Sequence, residues 1–401
     1  MRQLVAAGRW LGLAILLMPA AACAPQASRS GLQRPIAPIA MAAPAGQAVP
    51  QGPGPTMPLL PPEGPPRNRV GLLLPLSGSN RPLGEAMLNA SQLALFDLGD
   101  SSIEFLPRDT RSTPSGAAEA ARLALDQGAR ALAGPLTLGE TSAAATAARA
   151  AGTPVLAFTN DANQAGGGVW VMGVTIGEQT ERISGAAIAA GARRFGLLAP
   201  DDEVGRRLAA ALRAQLAAAA LPPPVVVLHA RLGDILVSAR DLATNAGPEG
   251  LDAVVLAAVG DRAKQAGATL VGALPNRPRL LGLSIWANDA SLAREPALVG
   301  AWFAGPDPTA RTDFEARYRT AFGDKPPRIA GVAYDAAALA ARTSREGAAT
   351  PPLGEPLMGA DGPIMLTPTG LSRRGLAIFE LLPDGEPKLV EPAPIPAAAG
   401  T

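Results

Sequence analysis

Three times in succession between Val70 and Phe158, a short apolar run gives way to a stretch with helical spacing, and a fourth apolar run follows. That alternation admits few folds other than a parallel sheet covered by helices on both faces. Val70 to Leu76 reads Val-Gly-Leu-Leu-Leu-Pro-Leu, the unbroken apolar run of a strand buried on both sides. Met87, Ala90, Ala94 and Leu95 follow at helical spacing within a helix expected from Leu83 to Leu95. Ile103 to Leu106 reads as a second strand, Arg108-Asp109-Thr110 as a loop, and Thr113-Pro114 as a cap-then-proline helix start that Gly128 ends. A strand at Ala131 to Ala133, a helix from Gly139 to Ala151 and a strand at Val155 to Phe158 complete the series.

After Gly166-Gly167-Gly168 and a strand at Val169 to Met172, the rhythm restarts. Thr175 and Glu178 have capping-box spacing for a helix to Ala190. Strands are expected at Phe195 to Ala199, Val225 to His229, Ala253 to Ala257 and Leu280 to Leu283, with helices at Val204 to Ala219, Ile235 to Asn245 and Arg262 to Gly272. Past Trp302-Phe303 two helices come consecutively, one capped by Thr312 with Glu315 and running to Phe322, the other from Arg328 to Thr343. Asp361-Gly362 and Pro368-Thr369-Gly370 are turn signals around Ile364 to Leu366, a hairpin leading to a strand at Leu376 to Leu381. The expected class is therefore α/β, with two lobes that are each a parallel sheet flanked by helices.

Ligands in such sheets bind beyond the carboxyl ends of the strands, which directs attention to Ala131–Glu140. Gly134 allows a close turn, Pro135 fixes φ, and Thr137 with Glu140 three residues on has capping-box spacing. An acid already at a helix N-terminus occupies the place where a ligand anion would be attracted.

The amino terminus carries different information. Arg2 and Arg9 precede an apolar run from Trp10 to Met18, and Ala20-Ala21-Ala22 leads into Cys23, the only cysteine. This is the pattern of an export signal, 1–22, too short to remain as a spanning helix. Cys23 after small residues resembles a bacterial lipobox and marks it as a lipidation site and membrane anchor, against the plainer alternative of an incidental cysteine beside an ordinary cleavage site. Ala24 in place of Asp implies the outer membrane. Ala24 to Arg69 holds 12 prolines in 46 residues without apolar periodicity, so 23–69 is expected to be a tether. It would reach about 37 Å if flexible and about 140 Å if polyproline-like. The segment 392–401 is expected to be disordered.

Net charge is +1, with no dense basic run and few aromatics to stack bases, so nucleic-acid binding has no electrostatic footprint. His229 is the only histidine, leaving neither a zinc set nor a Ser-His-Asp triad with a nucleophile elbow. No phosphate loop follows a strand. The reading is a non-enzymatic protein with no cofactor and no metal.

Five motifs in order carry a resemblance: Val70 to Gly78, Asp109-Thr110, Gly134-Pro135-Leu136, Tyr334-Asp335-Ala336-Ala337, and Gly359-Ala360-Asp361-Gly362 with Arg373-Arg374. Together they resemble type 1 periplasmic binding proteins of the leucine-binding group over about 70–389. Gly134-Pro135-Leu136 and the run Leu371 to Glu380 look most like the LppC-type lipoproteins, the penicillin-binding-protein activators. The resemblance implies a domain at 70–391, with one lobe from about 70–172 and 304–350 and the other from 173–303 and 351–391, joined by three crossovers around a cleft. It also implies first-lobe ligand contacts at Ser77, Ser79, Gly134, Pro135, Thr137, Thr159 and Asn160. From the second lobe a tyrosine and an acid would grip a ligand ammonium. Here Val204 and Val259 or Gly260 stand where aromatics are usual, and Trp286 lies near the acidic position, as the remaining cleft candidate. The expected partner is a penicillin-binding protein that synthesises peptidoglycan; the alternative is a small amino-acid-like ligand delivered to an ABC permease.

Overall fold

The computed structural model describes residues 67–397, so the export signal, Cys23 and the tether as far as 66 lie outside the described residues, while Asn68 and Arg69, expected in the tether, open the first strand by pairing with Ile103 and Glu104. The first lobe runs β1 (Asn68–Leu74), α1 (Arg81–Leu98), β2 (Ile103–Asp109), α2 (Pro114–Asp126), β3 (Ala129–Ala133), α3 (Leu138–Ala150), β4 (Val155–Ala157) and β5 (Val169–Val171). Its strands form an all-parallel sheet in the order β2-β1-β3-β4-β5. The chain then crosses to the second lobe: α4 (Ile176–Ala189), β6 (Phe195–Pro200), α5 (Glu203–Ala218), β7 (Val225–His229), α6 (Ile235–Ala246), β8 (Ala253–Leu256), α7 (Gly260–Ala273), β9 (Arg279–Gly282) and β10 (Trp302–Gly305). It returns for α8 (Pro308–Phe322), α9 (Ile329–Glu346) and a small antiparallel sheet of β11 (Leu357–Gly359), β12 (Gly362–Leu366) and β13 (Ser372–Arg374), and crosses a third time into β14 (Ala377–Leu381) and β15 (Pro387–Glu391). The second sheet, β15-β14-β10-β9-β8-β6-β7, is parallel except for β14 and β15 at one edge.

The central strands are unbroken apolar runs because both of their faces are covered. Leu72, Leu73 and Leu74 of β1 alternate between two cores: Leu72 and Leu74 meet α1, α8 and α9, while Leu73 meets α2 and α3. The second of these cores is mostly alanine, with Ala117, Ala120, Ala121 and Ala124 of α2 facing Ala144, Ala145 and Ala148 of α3. Each alanine buries little area, but methyl-sized side chains let helices and sheet approach closely, and the many short contacts compensate. Among the described residues the aromatics are concentrated elsewhere, as in the Phe314, Tyr318 and Tyr334 group where α8 meets α9.

Several expectations are corrected. Asp109 ends β2 rather than lying in a loop, since β1 continues beside it as far as Leu74. Asp307 accepts the Ala310 amide and Pro308 opens α8, so the helix starts before Thr312, and Glu315 bonds Arg311 and Lys325 instead of a cap amide. Ala360, Ile364 and Leu366 join the first lobe's core, and Trp170 Nε1 donates to the Thr367 carbonyl, which places 357–372 on the first lobe rather than the second. Residues 392–397 lie against the second lobe rather than trailing free: Ala393 packs on its core and the Pro392 carbonyl accepts from Arg182.

The βα turns are closed by glycines at the starts of helices. A Cβ on Gly84 would lie 2.1 Å from the Pro75 carbonyl oxygen, and one on Gly205 1.8 Å from that of Pro200. Backbone cannot yield as a side-chain tip can. Gly205→Ala should therefore lower stability by about 1–3 kcal/mol through overpacking, whereas Gly272→Ala, at an open helical position, should raise it by up to about 1 kcal/mol. Urea denaturation of the two variants measures both.

Candidate functional site: the cleft between the lobes

The carboxyl ends of both sheets face a cavity of about 650 Å³, within the range of small-molecule sites. Thr137, Thr159 and Asn160 line it from the first lobe, Val204, Arg207 and Gln179 from the second, and Arg328, Asp361 and Arg374 from the segments near the crossovers. Phe158, Leu136, Ile329 and Val332 contribute much of the apolar wall.

Thr137 and Thr159 of the first-lobe wall are committed within the protein. Thr137 caps α3, and the capping box is complete: the Glu140 carboxylate accepts the Thr137 amide at 2.9 Å and its hydroxyl at 2.7 Å. Its other oxygen accepts the Thr110 hydroxyl at 2.6 Å, and Glu140 is fully buried. Ser77 lies away from the cavity because its hydroxyl donates to Asp109 at 2.6 Å. Burial pulls the Asp109 carboxyl up, but bonds from the Ser77 hydroxyl and from the Arg111, Ser77 and Leu76 amides outweigh it and hold the group below the usual carboxylate range. Ser79 is exposed and does not line the cavity. Gly134 and Pro135 shape the turn rather than the wall: Gly134 has φ +97°, and a Cβ there would meet the Leu73 carbonyl oxygen at 2.3 Å. Thr159 accepts the Asp161 amide.

Trp286 is no cleft residue. It packs in the second lobe's core, 2 % exposed, with Nε1 donating to the Ala258 carbonyl at 2.8 Å. The indole fills space over Gly282, where any Cβ would collide with it. Across the mouth, Asp202 caps α5 and presents Arg207, which bonds Asp161 of the first lobe at 2.6 Å and Glu203 at 2.9 Å.

Sequence reasoning overlooked the network at the crossovers. Arg374, its side chain 2 % exposed, bonds Asp335 of α9 at 2.6 Å, and its Nε donates to the Met172 carbonyl at the first crossing. Its backbone amide donates to Glu178 of α4. Thr175 still caps α4, but Glu178 leaves the expected capping box for this bond. Oε2 of Glu178, Oγ of Ser372 and Nη2 of Arg374 have no protein partner. Asp335 within the apolar run Val332 to Ala341 was the available signal, because an acid on a core-facing helix stripe requires a buried partner. Among the described residues no cluster of three or more His, Cys, Asp and Glu is placed to hold a metal, and no helix is long and apolar enough to cross a membrane.

Burial pushes the Glu178 carboxyl up to about 7, the Arg374 amide and guanidinium opposing only in part. A carboxyl whose pKa rises on folding binds its proton more tightly in the folded state, so stability falls as pH climbs from the ordinary value, 4.5, to about 7. Burial raises Asp335 as well, in the same direction. The melting temperature should drop by a few degrees across that window, and Glu178→Gln should remove the Glu178 share while leaving that of Asp335. A thermal-melt series in pH on both proteins reads the difference.

No curated protein sequence matches the chain. Among solved structures it is similar to a solute-binding protein of an R. palustris ABC transporter in complex with benzoate (21 % identity, TM-score 0.57, 83 % of this chain and 98 % of that one). It is also similar to a putative branched-chain amino acid ABC transporter protein from Rhodospirillum rubrum (18 % identity, TM-score 0.68, 80 % and 99 %). Full-length LpoA from Haemophilus influenzae matches with 18 % identity and a TM-score of 0.64, over 81 % of this chain but only 59 % of LpoA. At these identities the likeness is one of fold. The sequence profile of the periplasmic binding proteins matches residues 68–356, well over half the chain, and the protein belongs to that family.

Proposed function

We propose that the protein is a non-enzymatic periplasmic lipoprotein, anchored through Cys23, that binds a peptidoglycan synthase through its outer surface and stimulates it. The observation that carries this reading is that every carboxylate lining the cleft is already bonded to an arginine of the protein: Asp161 and Glu203 to Arg207, and Asp361 to Arg311. An amino-acid receptor needs a free acid for the ligand ammonium, and the Thr137 amide and hydroxyl that would receive a ligand carboxylate are taken by Glu140. The sequence resemblance to penicillin-binding-protein activators and the fold shared with LpoA agree with this. A tether of about 46 residues would let an anchored domain reach across part of the periplasm.

A second reading, delivery of a small molecule to an ABC permease, is favoured by the cavity itself and by the solute-binding proteins of the same fold. In vivo crosslinking followed by a glycan-polymerisation assay separates the two. The activator reading expects a bifunctional penicillin-binding protein to be captured and its rate raised at least about twofold, a small free-energy difference; no capture and no stimulation would sink it. Leucine should give no saturable rise in melting temperature, because a ligand bound only to the native state must stabilise it. Cys23→Ala should move the protein from the membrane to the soluble fraction, since acyl chains supply the anchoring.

A further inference from the structure

Charge accounting in the cleft leaves one cation over. Arg207 is matched by Asp161 and Glu203, Asp361 by Arg311, and Arg374 by Asp335. Arg328 lies within ion-pair distance of no carboxylate among the described residues, and its Nη1 donates only to a neutral acceptor, the Ser284 carbonyl, at 3.2 Å. Burial holds the Arg328 guanidinium below its ordinary range, with Asp361 too far away to bond it. A half-buried charge without a counterion is the state a protein avoids unless something else supplies the opposite charge. Arg374 lines the same wall, but its guanidinium is buried against Asp335 and so leaves Arg328 as the cation open to the cavity.

We propose that the cleft binds a small organic monocarboxylate with an apolar body and no ammonium group, its carboxylate taken by Arg328. The planar guanidinium fork suits a carboxylate, and such bonds are the stronger kind. Phe158, Val204, Ile329 and Val332 give the body of the ligand an apolar surface. One surplus cation calls for one negative charge, and a strongly hydrated dianion would lose its water against these side chains. The ammonium of an amino acid would meet the Arg328 guanidinium and no free acid. The inference rests on the cleft being used as a receptor site and is independent of any synthase contact.

Isothermal titration of the full chain with 4-methylpentanoate and benzoate, against leucine and 4-methylpentanamide, tests it. At least one acid should bind saturably, with leucine and the amide weaker by about tenfold or more, the loss expected for a charge-assisted bond. Arg328→Gln should weaken the acid by about tenfold or more and Arg328→Lys by less. Both should stay folded and melt within a few degrees of the wild type, because the one side-chain bond at stake is that to the Ser284 carbonyl. No saturable heat from either acid up to about 10 mM, equal or tighter binding of leucine, or undiminished binding by Arg328→Gln would each overturn the proposal. The synthase assay above is unaffected by any of these results, so the two readings fail separately.

Discussion

The ion pair between Arg374 and Asp335 is the interaction on which the crossover region depends: it fixes β13 on α9 within the first lobe, and the Arg374 backbone amide then reaches Glu178 of the second. The Arg374 guanidinium holds α9 through Asp335 and the first crossing through the Met172 carbonyl, and the Arg374 backbone amide donates to the Glu178 carboxylate at the start of α4. Three segments far apart in sequence, 172–178, α9 and β13, meet at this residue. A buried ion pair is weak evidence for net stability, but removing one partner strands a charge at a cost of about 3–5 kcal/mol. The pair therefore specifies where the crossovers lie more than it strengthens them.

Around that anchor the cleft is shaped by competition for the same few polar groups. Glu140 is drawn inward because the α3 N-terminus offers it the Thr137 amide and hydroxyl and Thr110 offers another hydroxyl. Arg207 spans from α5 to Asp161 and holds the second lobe against the first at the mouth. The charge that remains uncommitted is cationic and set among apolar side chains. This inverts the polarity expected of an amino-acid receptor, and it is compatible with a fold shared by solute-binding proteins and by LpoA alike.

The carboxyl-end loops show how little a motif says about its own use. Ser77, Ser79, Gly134, Pro135, Thr137, Thr159 and Asn160 all sit in the loops where ligands of this architecture bind, yet only the last three reach the cavity wall. Ser77 is diverted by Asp109, an acid placed by the end of β2 one strand away. Trp286 lies near the position where the resemblance implies an acid, but a large indole beside Gly282 gains more from burial in the lobe than from lining a wet cleft.

The α/β alternation, most strand and helix positions and the α3 capping box were legible along the chain, because each rests on local periodicity, caps and turn residues within a few positions of one another. Folding in three dimensions settled that β11 to β13 belong to the first lobe, that Glu178 abandons its cap for Arg374, and that Arg328 is left without a counterion. Those outcomes depend on pairings between groups 30 to 200 positions apart, such as Glu178 with Arg374 and Asp335 with Arg374. No pattern along the chain records which distant partner wins. The Ala131–Glu140 stretch belongs to both classes: its turn and its cap are local, while the burial of its acid under Thr110 is a product of the fold.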